Sequence, residues 1–201
     1  MKTKFIFTLR NIRKTAYHYY GKSVLSYPKL IYYSLLNINT FVLVGTELNV
    51  ELPPFKIGPE FTVIKPTLEE LNRLREGKDL PREFYYDKID GVKRCYLALQ
   101  GDEIAYIHWI YFKGDHSRFL VLSDGVAELN NNIVVPKFRG RGLMSSMITY
   151  ILRDLQKDGY RKAVGVIHQK NPPAIESAKK AGMRELQRLK TLGPFNRRIR
   201  V

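Results

Sequence analysis

A short segment rich in glycine and arginine is the part of the sequence best suited to bind an anion. It reads VVPKFRGRGLM and runs from Val134 to Met144. Gly140 and Gly142 allow the backbone to approach a ligand closely and to direct successive N–H groups toward it. The basic residues of the segment are Lys137, Arg139 and Arg141. The segment therefore predicts a phosphate-binding loop, although it is neither a P-loop nor the G-x-G-x-x-G dinucleotide fingerprint.

The residues on either side of this loop predict that it joins a strand to a helix. Residues 126–135 are typical of a strand, and residues 162–168 (KAVGVIH) predict another. Between them lies an apolar stripe at helical spacing, formed by Leu143, Met147, Ile148, Ile151, Leu152 and Leu155. The pattern predicts a βαβ unit with parallel strands. The loop then lies at the N-terminus of the helix, where unpaired amides and the helix dipole favour a phosphate.

Further strands upstream predict a mixed sheet. Residues 95–99 and 104–112 resemble a hairpin, and residues 61–64 predict a short strand. A helix is expected to begin after Thr67, and downstream we expect one more helix, at 174–181, and closing strands at 184–190 and 197–201. The predicted class is α/β (α+β), with a mixed, mostly antiparallel central sheet that contains one parallel βαβ unit.

Two prolines and a glycine in residues 51–58 predict a domain boundary. We assign residues 1–58 to an N-terminal basic and aromatic extension, helical with a short strand-like run at 41–44, and residues 59–201 to the main domain. The apolar run 30–44 has 15 residues, fewer than the roughly 20 that a spanning helix needs.

Two segments of the sequence resemble motifs of the GNAT superfamily of acetyl-CoA-dependent N-acetyltransferases. Arg139, Gly142 and Met144 stand at the defined positions of the motif Q/R-x-x-G-x-G/A, with Met144 in place of the usual small residue. A second motif, N-x-x-A-x-x-x-Y-x-K-x-G-F, is matched by Asn171, Ala174, Lys180 and Gly182. The resemblance covers roughly residues 61–190, and it implies a GNAT-like acyltransferase domain.

The resemblance implies a cosubstrate, acetyl-CoA or another acyl-CoA, and residues that hold it. The backbone of Ile133, Val134 and Val135 would bind the pantetheine arm, and the amide of a residue such as Val135 would polarise the thioester carbonyl. Asn171 would border the pantetheine or the thiol. The pyrophosphate would lie on Arg139, Gly140, Arg141, Gly142, Leu143, Met144 and Ser145. We expect no metal, because no His, Cys or Asp cluster has ligand spacing.

Acetyl transfer to an amine needs a base for the amine and a proton for the departing thiolate. Glu128 is the first candidate base, since the resemblance places the base of some members on the same strand and burial raises a carboxyl pKa. His108 and His168 are further candidates for proton transfer. The alternative is that all three are structural residues of strands. Ala178 stands where many members have a tyrosine acid, so Tyr106, Tyr111 or water remain as alternative proton donors.

The charge of the chain is concentrated toward its end. The net charge is +15, and residues 137–201 hold 16 basic and 4 acidic residues. A cofactor phosphate accounts for only part of this surplus. We expect a small-molecule, amino-sugar or envelope-precursor amine as acceptor, and peripheral membrane contact through residues 1–45 is a further hypothesis. The single cysteine, Cys95, favours a cytoplasmic location.

The alternative function is a noncatalytic GNAT-like module that binds CoA or nucleic acid. Ala178 favours a protein without turnover, and the basic C-terminal third would attract nucleic acid. The sequence lacks a helix-turn-helix, RRM or KH signature, which argues against nucleic acid. The oligomeric state stays open, a homodimer included.

Overall fold

A mixed sheet of seven strands forms the body of the protein. The computed structural model describes residues 23, 25–32, 38–192 and 198–201. The helices are α1 (Ser26–Ile31), α2 (Leu68–Arg75), α3 (Tyr86–Ile89), α4 (Leu143–Lys157) and α5 (Pro172–Lys180). The strands are β1 (Ile38–Glu47), β2 (Thr62–Ile64), β3 (Arg94–Gln100), β4 (Glu103–Tyr111), β5 (Leu120–Val121), β6 (Val126–Val134), β7 (Lys162–His168), β8 (Arg184–Leu192) and β9 (Ile199–Arg200).

The strands are arranged in the order β2-β3-β4-β6-β7-β1-β8. Every neighbouring pair in this sheet is antiparallel except β6 and β7, which are parallel and are joined through α4. The predicted mixed, mostly antiparallel sheet with one parallel βαβ unit is therefore confirmed. The structure adds a separate parallel pair, β5 with β9, that the sequence pattern did not predict as a pair.

Strand β1 lies inside the sheet, between β7 and β8. Its residues Phe41 to Glu47 pair with β7, and Ile38 to Gly45 pair with β8. Val42, Leu43 and Val44 are buried in the core. Residues that the sequence analysis assigned to the N-terminal extension therefore form a central strand of the sheet.

The predicted aromatic and basic stretch up to residue 22 lies outside the described residues. Within the part of the chain that is described, none of the helices has the length and apolarity to cross a bilayer.

Helices cover the two faces of the sheet because each presents one apolar side. Helix α4 packs Met147, Ile151 and Leu155 on one face. On the other face, Leu71 of α2 and Phe84 pack against the strands. The predicted cap at Thr67 is present: its hydroxyl accepts the N–H of Glu70 at 3.2 Å, and Glu70 Oε2 accepts the Thr67 N–H at 2.7 Å.

A bulge interrupts the pairing of β4 with β6. Ile107 pairs with Ile133 and Trp109 with Asn130, so Asn131 and Asn132 both lie opposite the single residue His108. Asn131 has φ +53°, the only positive φ among the described residues other than glycine. Asparagine tolerates this left-handed conformation better than most side chains. The side-chain amide of Asn131 also donates to the Tyr111 hydroxyl at 2.6 Å, which anchors the bulge.

We expect Asn131→Val to lower the free energy of unfolding by about 1–2 kcal/mol more than Asn131→Gly does. Both changes remove the hydrogen bond to Tyr111, but only valine carries a Cβ into the left-handed conformation. Denaturant unfolding of the two variants measures the difference. Equal stabilities would show that the backbone at this position changes conformation without cost.

Candidate active site

The two parallel strands of the βαβ unit separate after a short stretch of pairing. β6 and β7 pair only at Val126 with Lys162, Ala127 with Ala163 and Glu128 with Val164. Gly165 follows immediately, and a Cβ there would lie 3.0 Å from the Leu129 carbonyl oxygen. This close approach favours glycine at the point where the strands part. The opening lies at the carboxyl ends of both strands, where open parallel sheets bind ligands.

The glycine-rich loop fits an anionic group at the N-terminus of α4. Gly140 and Gly142 have φ values of +79° and +70°, and a Cβ built on either would meet no atom within 4 Å. Gly142 caps α4 and has no side chain to accept the first N–H groups, and the first turn contains no acidic residue. The hydroxyls of Ser145 and Ser146 donate to the Gly142 carbonyl and leave these N–H groups free. The first N–H groups of the helix therefore remain available to a ligand. This open backbone cradle suits a pyrophosphate.

The three basic residues of the loop differ in their partners. Lys137 forms an ion pair with Glu103, and Arg141 lies 3.9 Å from Glu60. Arg139 instead donates from Nε to the Val134 carbonyl oxygen at 3.2 Å and, among the described residues, pairs with no carboxylate. Arg139 is therefore the loop cation that is best placed to meet a phosphate.

The Val135 amide, which was expected to polarise the thioester carbonyl, already has a partner within the fold. Its N–H donates to the Ala105 carbonyl at 2.9 Å, and its carbonyl accepts the Phe138 N–H at 2.9 Å, so neither group is available. The N–H groups of successive strand residues point in opposite directions, so the N–H of Val134 is directed toward the opening beside β7. Ile133, paired with Ile107, shares the orientation of Val135. Of the three predicted residues, Val134 offers its amide to a ligand there.

A small cavity lies between β6, β7 and the two helices that follow them. Its volume is about 40 Å³, and it is lined in part by His108, Asn130, Asn132, Met144, Ala174 and Ala178. The Ala178 side chain is buried here, so a tyrosine at this position would occupy the cavity. His108 is the only ionisable side chain among those lining it.

His108 is fully buried and uncharged at neutral pH. Its Nδ1 lies 2.7 Å from the Tyr106 hydroxyl, and its Nε2 lies 3.4 Å from the side-chain amide of Asn132. Burial lowers the pKa of His108 to about 3, and a hydrogen bond with the Leu129 backbone opposes this shift. His108 therefore meets a ligand in the cavity as a neutral imidazole.

Glu128 is fully buried and only partly hydrogen-bonded. Its Oε1 accepts the Asn130 side-chain amide at 2.9 Å, while Oε2 has no hydrogen-bond partner among the described residues. Burial raises the pKa of Glu128 to about 7, and interactions with Ser117 and Asn130 offset part of the shift. A carboxyl group with this pKa can exchange a proton with an amine near neutral pH.

His168 and Asn171 have structural partners at the end of β7. His168 Nδ1 accepts the Lys170 N–H at 3.0 Å, so the ring carries its proton on Nε2, which lies 3.1 Å from Asn39 Oδ1. Burial lowers the pKa of His168, and the positive charges of Lys170 and Arg118 lower it further. Asn171 caps α5, where its Oδ1 accepts the Ala174 N–H at 3.4 Å.

The structure does not bring the three candidate catalytic residues together. His108 lies on the α4 side of the sheet, between the core residues Tyr106 and Ile110, and it lines the cavity. Glu128 lies on the opposite face, since it pairs with Tyr111 of the other core. His168 does not line the cavity. The described residues contain no group of three or more His, Cys, Asp or Glu placed to hold a metal.

The sequence pattern missed the asparagines Asn130, Asn131 and Asn132. Asn130 and Asn131 donate their side-chain amides to Glu128 and Tyr111, and the Asn132 amide nitrogen lies 3.4 Å from His108 Nε2. The sequence did contain a sign of them. Asparagine is depleted in strands, so three successive asparagines within a predicted strand indicate a special role.

The two diverging parallel strands and the phosphate cradle lie within a region that matches a known protein family. A model of the acetyltransferase (GNAT) family matches residues 64–183. The chain belongs to the GNAT acetyltransferase family. A search of curated proteins found no match.

Solved structures support the fold. A GCN5-related N-acetyltransferase from Sphaerobacter thermophilus is 14% identical with a TM-score of 0.57, and the match covers 90% of this chain and 59% of that one. A GCN5-related glucosamine N-acetyltransferase region of a fungal multidomain protein is 11% identical with a TM-score of 0.55, covering 84% of this chain and 23% of that one. The chain thus spans less than two thirds of the length of these relatives. At these identities the likeness shows the fold alone.

The buried carboxyl group of Glu128 makes stability depend on pH. Its pKa is 4.5 when solvated and about 7 in the folded protein, so folding favours the protonated form. This stabilisation is complete below the solvated pKa and is lost as the pH rises through 7. Glu128→Gln, which cannot ionise, should gain about 3 kcal/mol relative to wild type between pH 4 and pH 8.5. Denaturant unfolding of both proteins at the two pH values measures this, and a pH-independent difference would contradict the raised pKa.

Proposed function

We propose that the protein is an acyl-CoA-dependent N-acetyltransferase in which an amine attacks the bound thioester directly. The observation that carries the proposal is the glycine cradle at the start of α4 beside the opening between β6 and β7. Family membership supports acetyl-CoA as the donor. The cosubstrate supplies an activated acetyl group, and the residues of this chain bind it, orient it and move protons.

The cradle would hold the anionic end of the cosubstrate. The free N–H groups of Leu143, Met144 and Ser145 and the guanidinium of Arg139 are its donors. The amide of Val134 faces the opening, where the pantetheine arm would replace the strand pairing that β6 and β7 give up. Asn171, at the N-terminus of α5, lies at the same end of the sheet.

Glu128 is the proposed base. As the amine nitrogen bonds to the acyl carbon, it loses a proton, and the carbon–sulfur bond breaks. A carboxylate with a pKa of about 7 can accept that proton near neutral pH. Glu128 has no exposed surface, so the acceptor reaches it through a water or after the segment bearing Ser117 moves. On the opposite face, neutral His108 can hydrogen-bond the departing sulfur in place of the tyrosine absent at Ala178.

The proposed acceptor is a small amine, an amino sugar or an envelope precursor. The fungal region named above is described as a glucosamine N-acetyltransferase, so glucosamine is one of the amines that the test below includes. We also propose a cytoplasmic location and peripheral membrane contact through residues 1–45. This stretch includes most of strand β1, whose central residues are buried.

Isothermal titration calorimetry with acetyl-CoA tests the binding site. Gly142→Asp places a carboxylate in the cradle and should weaken binding by about 100-fold or more. The matched control is Gly159→Asp, which creates the same charge at the opposite end of α4, again at a positive φ with open space around the Cβ. We expect the control to bind within a few-fold of wild type. Equal weakening by both changes, or no binding by wild type, would refute the site.

Turnover is tested by release of the CoA thiol over a panel of amines that includes glucosamine. We expect thiol release from wild type with at least one primary amine, and a loss of about 100-fold or more in kcat for Glu128→Gln. Binding of acetyl-CoA in the calorimeter should be unchanged by this substitution. Tight binding without thiol release from any amine would favour the noncatalytic alternative.

A further inference from the structure

The asparagine run of β6 surrounds the candidate base with fixed hydrogen bonds. Asn130 donates from Nδ2 to Glu128 Oε1 at 2.9 Å, and its own Oδ1 accepts the Asn131 N–H at 2.8 Å. These two bonds determine the orientation of the Asn130 amide group. The reversed orientation would direct an oxygen toward the carboxyl group and an N–H toward an N–H, losing both bonds.

The bulge positions the Asn131 N–H for its hydrogen bond to Asn130 Oδ1. Asn131 adopts φ +53°, and its backbone N–H donates to the side chain of Asn130. Its side-chain amide reaches the Tyr111 hydroxyl, which in turn donates to Asp90 Oδ2 at 3.2 Å. The Asn130 side chain is thus held from the backbone of the bulge, independently of Glu128.

Few other polar groups face the Glu128 carboxyl group. Tyr111 of β4 and Val164 of β7 are its strand neighbours, and Ser117 approaches from the segment before β5. Asp90 lies beyond the Tyr111 hydroxyl. No charged side chain among the described residues contributes to the proton affinity of Glu128. Hydrogen bonding by Ser117 and, to a smaller extent, by Asn130 favours the ionised carboxyl group. The Asn130 bond is directed at Oε1 at 2.9 Å, and Oε2 has no partner among the described residues.

We propose that Asn130 is a positioning residue that holds Glu128 by Oε1 and leaves Oε2 to receive the proton of the acceptor amine. The inference rests on the proposed function. It assigns the asparagine a role that a strand-forming residue such as valine could not fill, since only a donor at this position satisfies a buried carboxylate.

Carbon-13 NMR of the side-chain carboxyl groups, without any substrate, tests the hydrogen bond. The Glu128 signal is assigned by its loss in Glu128→Gln, and its titration midpoint is compared between wild type and Asn130→Ala. A bond to the ionised form lowers a carboxyl pKa, so its removal should raise the midpoint by about one pH unit. Asn130→Ser, which keeps a hydroxyl donor, should give an intermediate midpoint. An unchanged midpoint in Asn130→Ala would overturn the proposal.

Asn131→Gly is the matched control. It changes the adjacent residue, keeps the positive φ and keeps the backbone N–H that bonds to Asn130. We expect its Glu128 midpoint to equal that of wild type, and a shift as large as that of Asn130→Ala would mean that general loosening of the bulge, and not the hydrogen bond, is responsible.

With an amine that wild type accepts, the acid limb of the kcat profile gives a second readout. It should move to higher pH in Asn130→Ala by the same amount as the NMR midpoint, while acetyl-CoA binding stays unchanged. An acid limb that stays in place while the midpoint moves would overturn the positioning role. Failure of wild type to bind acetyl-CoA would refute the proposed function separately, since the NMR titration needs no ligand.

Discussion

The separation of β6 from β7 is the constraint on which the rest of the site depends. Two parallel strands that stop pairing inside a sheet leave N–H and C=O groups without partners, and each such buried group costs about 1–3 kcal/mol. Here the pairing ends at Glu128 and Val164. The cost is reduced from within the chain: Arg139 donates to the Val134 carbonyl, and a glycine at 165 allows the backbones to lie close where they part. The backbone groups that still lack a partner, above all the Val134 amide, lie along the strand edge and suit an extended ligand that contains amides.

The bulge in β6 determines which side chains face this opening. Without the extra residue at Asn131 and Asn132, strand alternation would place the residues beyond the bulge on the opposite faces. Val134, beyond the bulge, thereby pairs with Tyr106, whose side chain lies in the α4-side core. Alternation along β4 places His108 on the same side, whereas Glu128, before the bulge, faces the other core. The candidate base and the imidazole therefore lie on opposite faces of the sheet. Such an arrangement lets the acceptor approach from one face and the leaving group depart toward the other.

Local patterns predicted those parts of the fold and site that depend on neighbours in sequence. The strand, loop and helix around Gly142 were predictable because a helix stripe and two left-handed glycines are local features. The position of β1 was not, since its pairing with β7 and β8 joins residues more than 100 positions apart. The orientation of the Val135 amide depends in the same way on its pairing with Ala105. The prolines at 53 and 54 lie in the irregular segment 51–58 that follows β1, and the domain boundary there stays a prediction.

The positive charge of the loop contributes less to the proposed cofactor binding than the composition suggested. Two of the three basic residues of the loop are paired with exposed carboxylates, Glu103 and Glu60. Exposed pairs of this kind contribute roughly 0–1 kcal/mol, so a phosphate can replace the carboxylates at little cost. The recognition elements that do not depend on these side chains are the N–H groups at the start of α4, which bind an anion by direct hydrogen bonds. The last third of the chain holds 16 basic and 4 acidic residues, so most of its positive charge lies outside the loop, where it would favour the approach of an anionic ligand over about 10 Å.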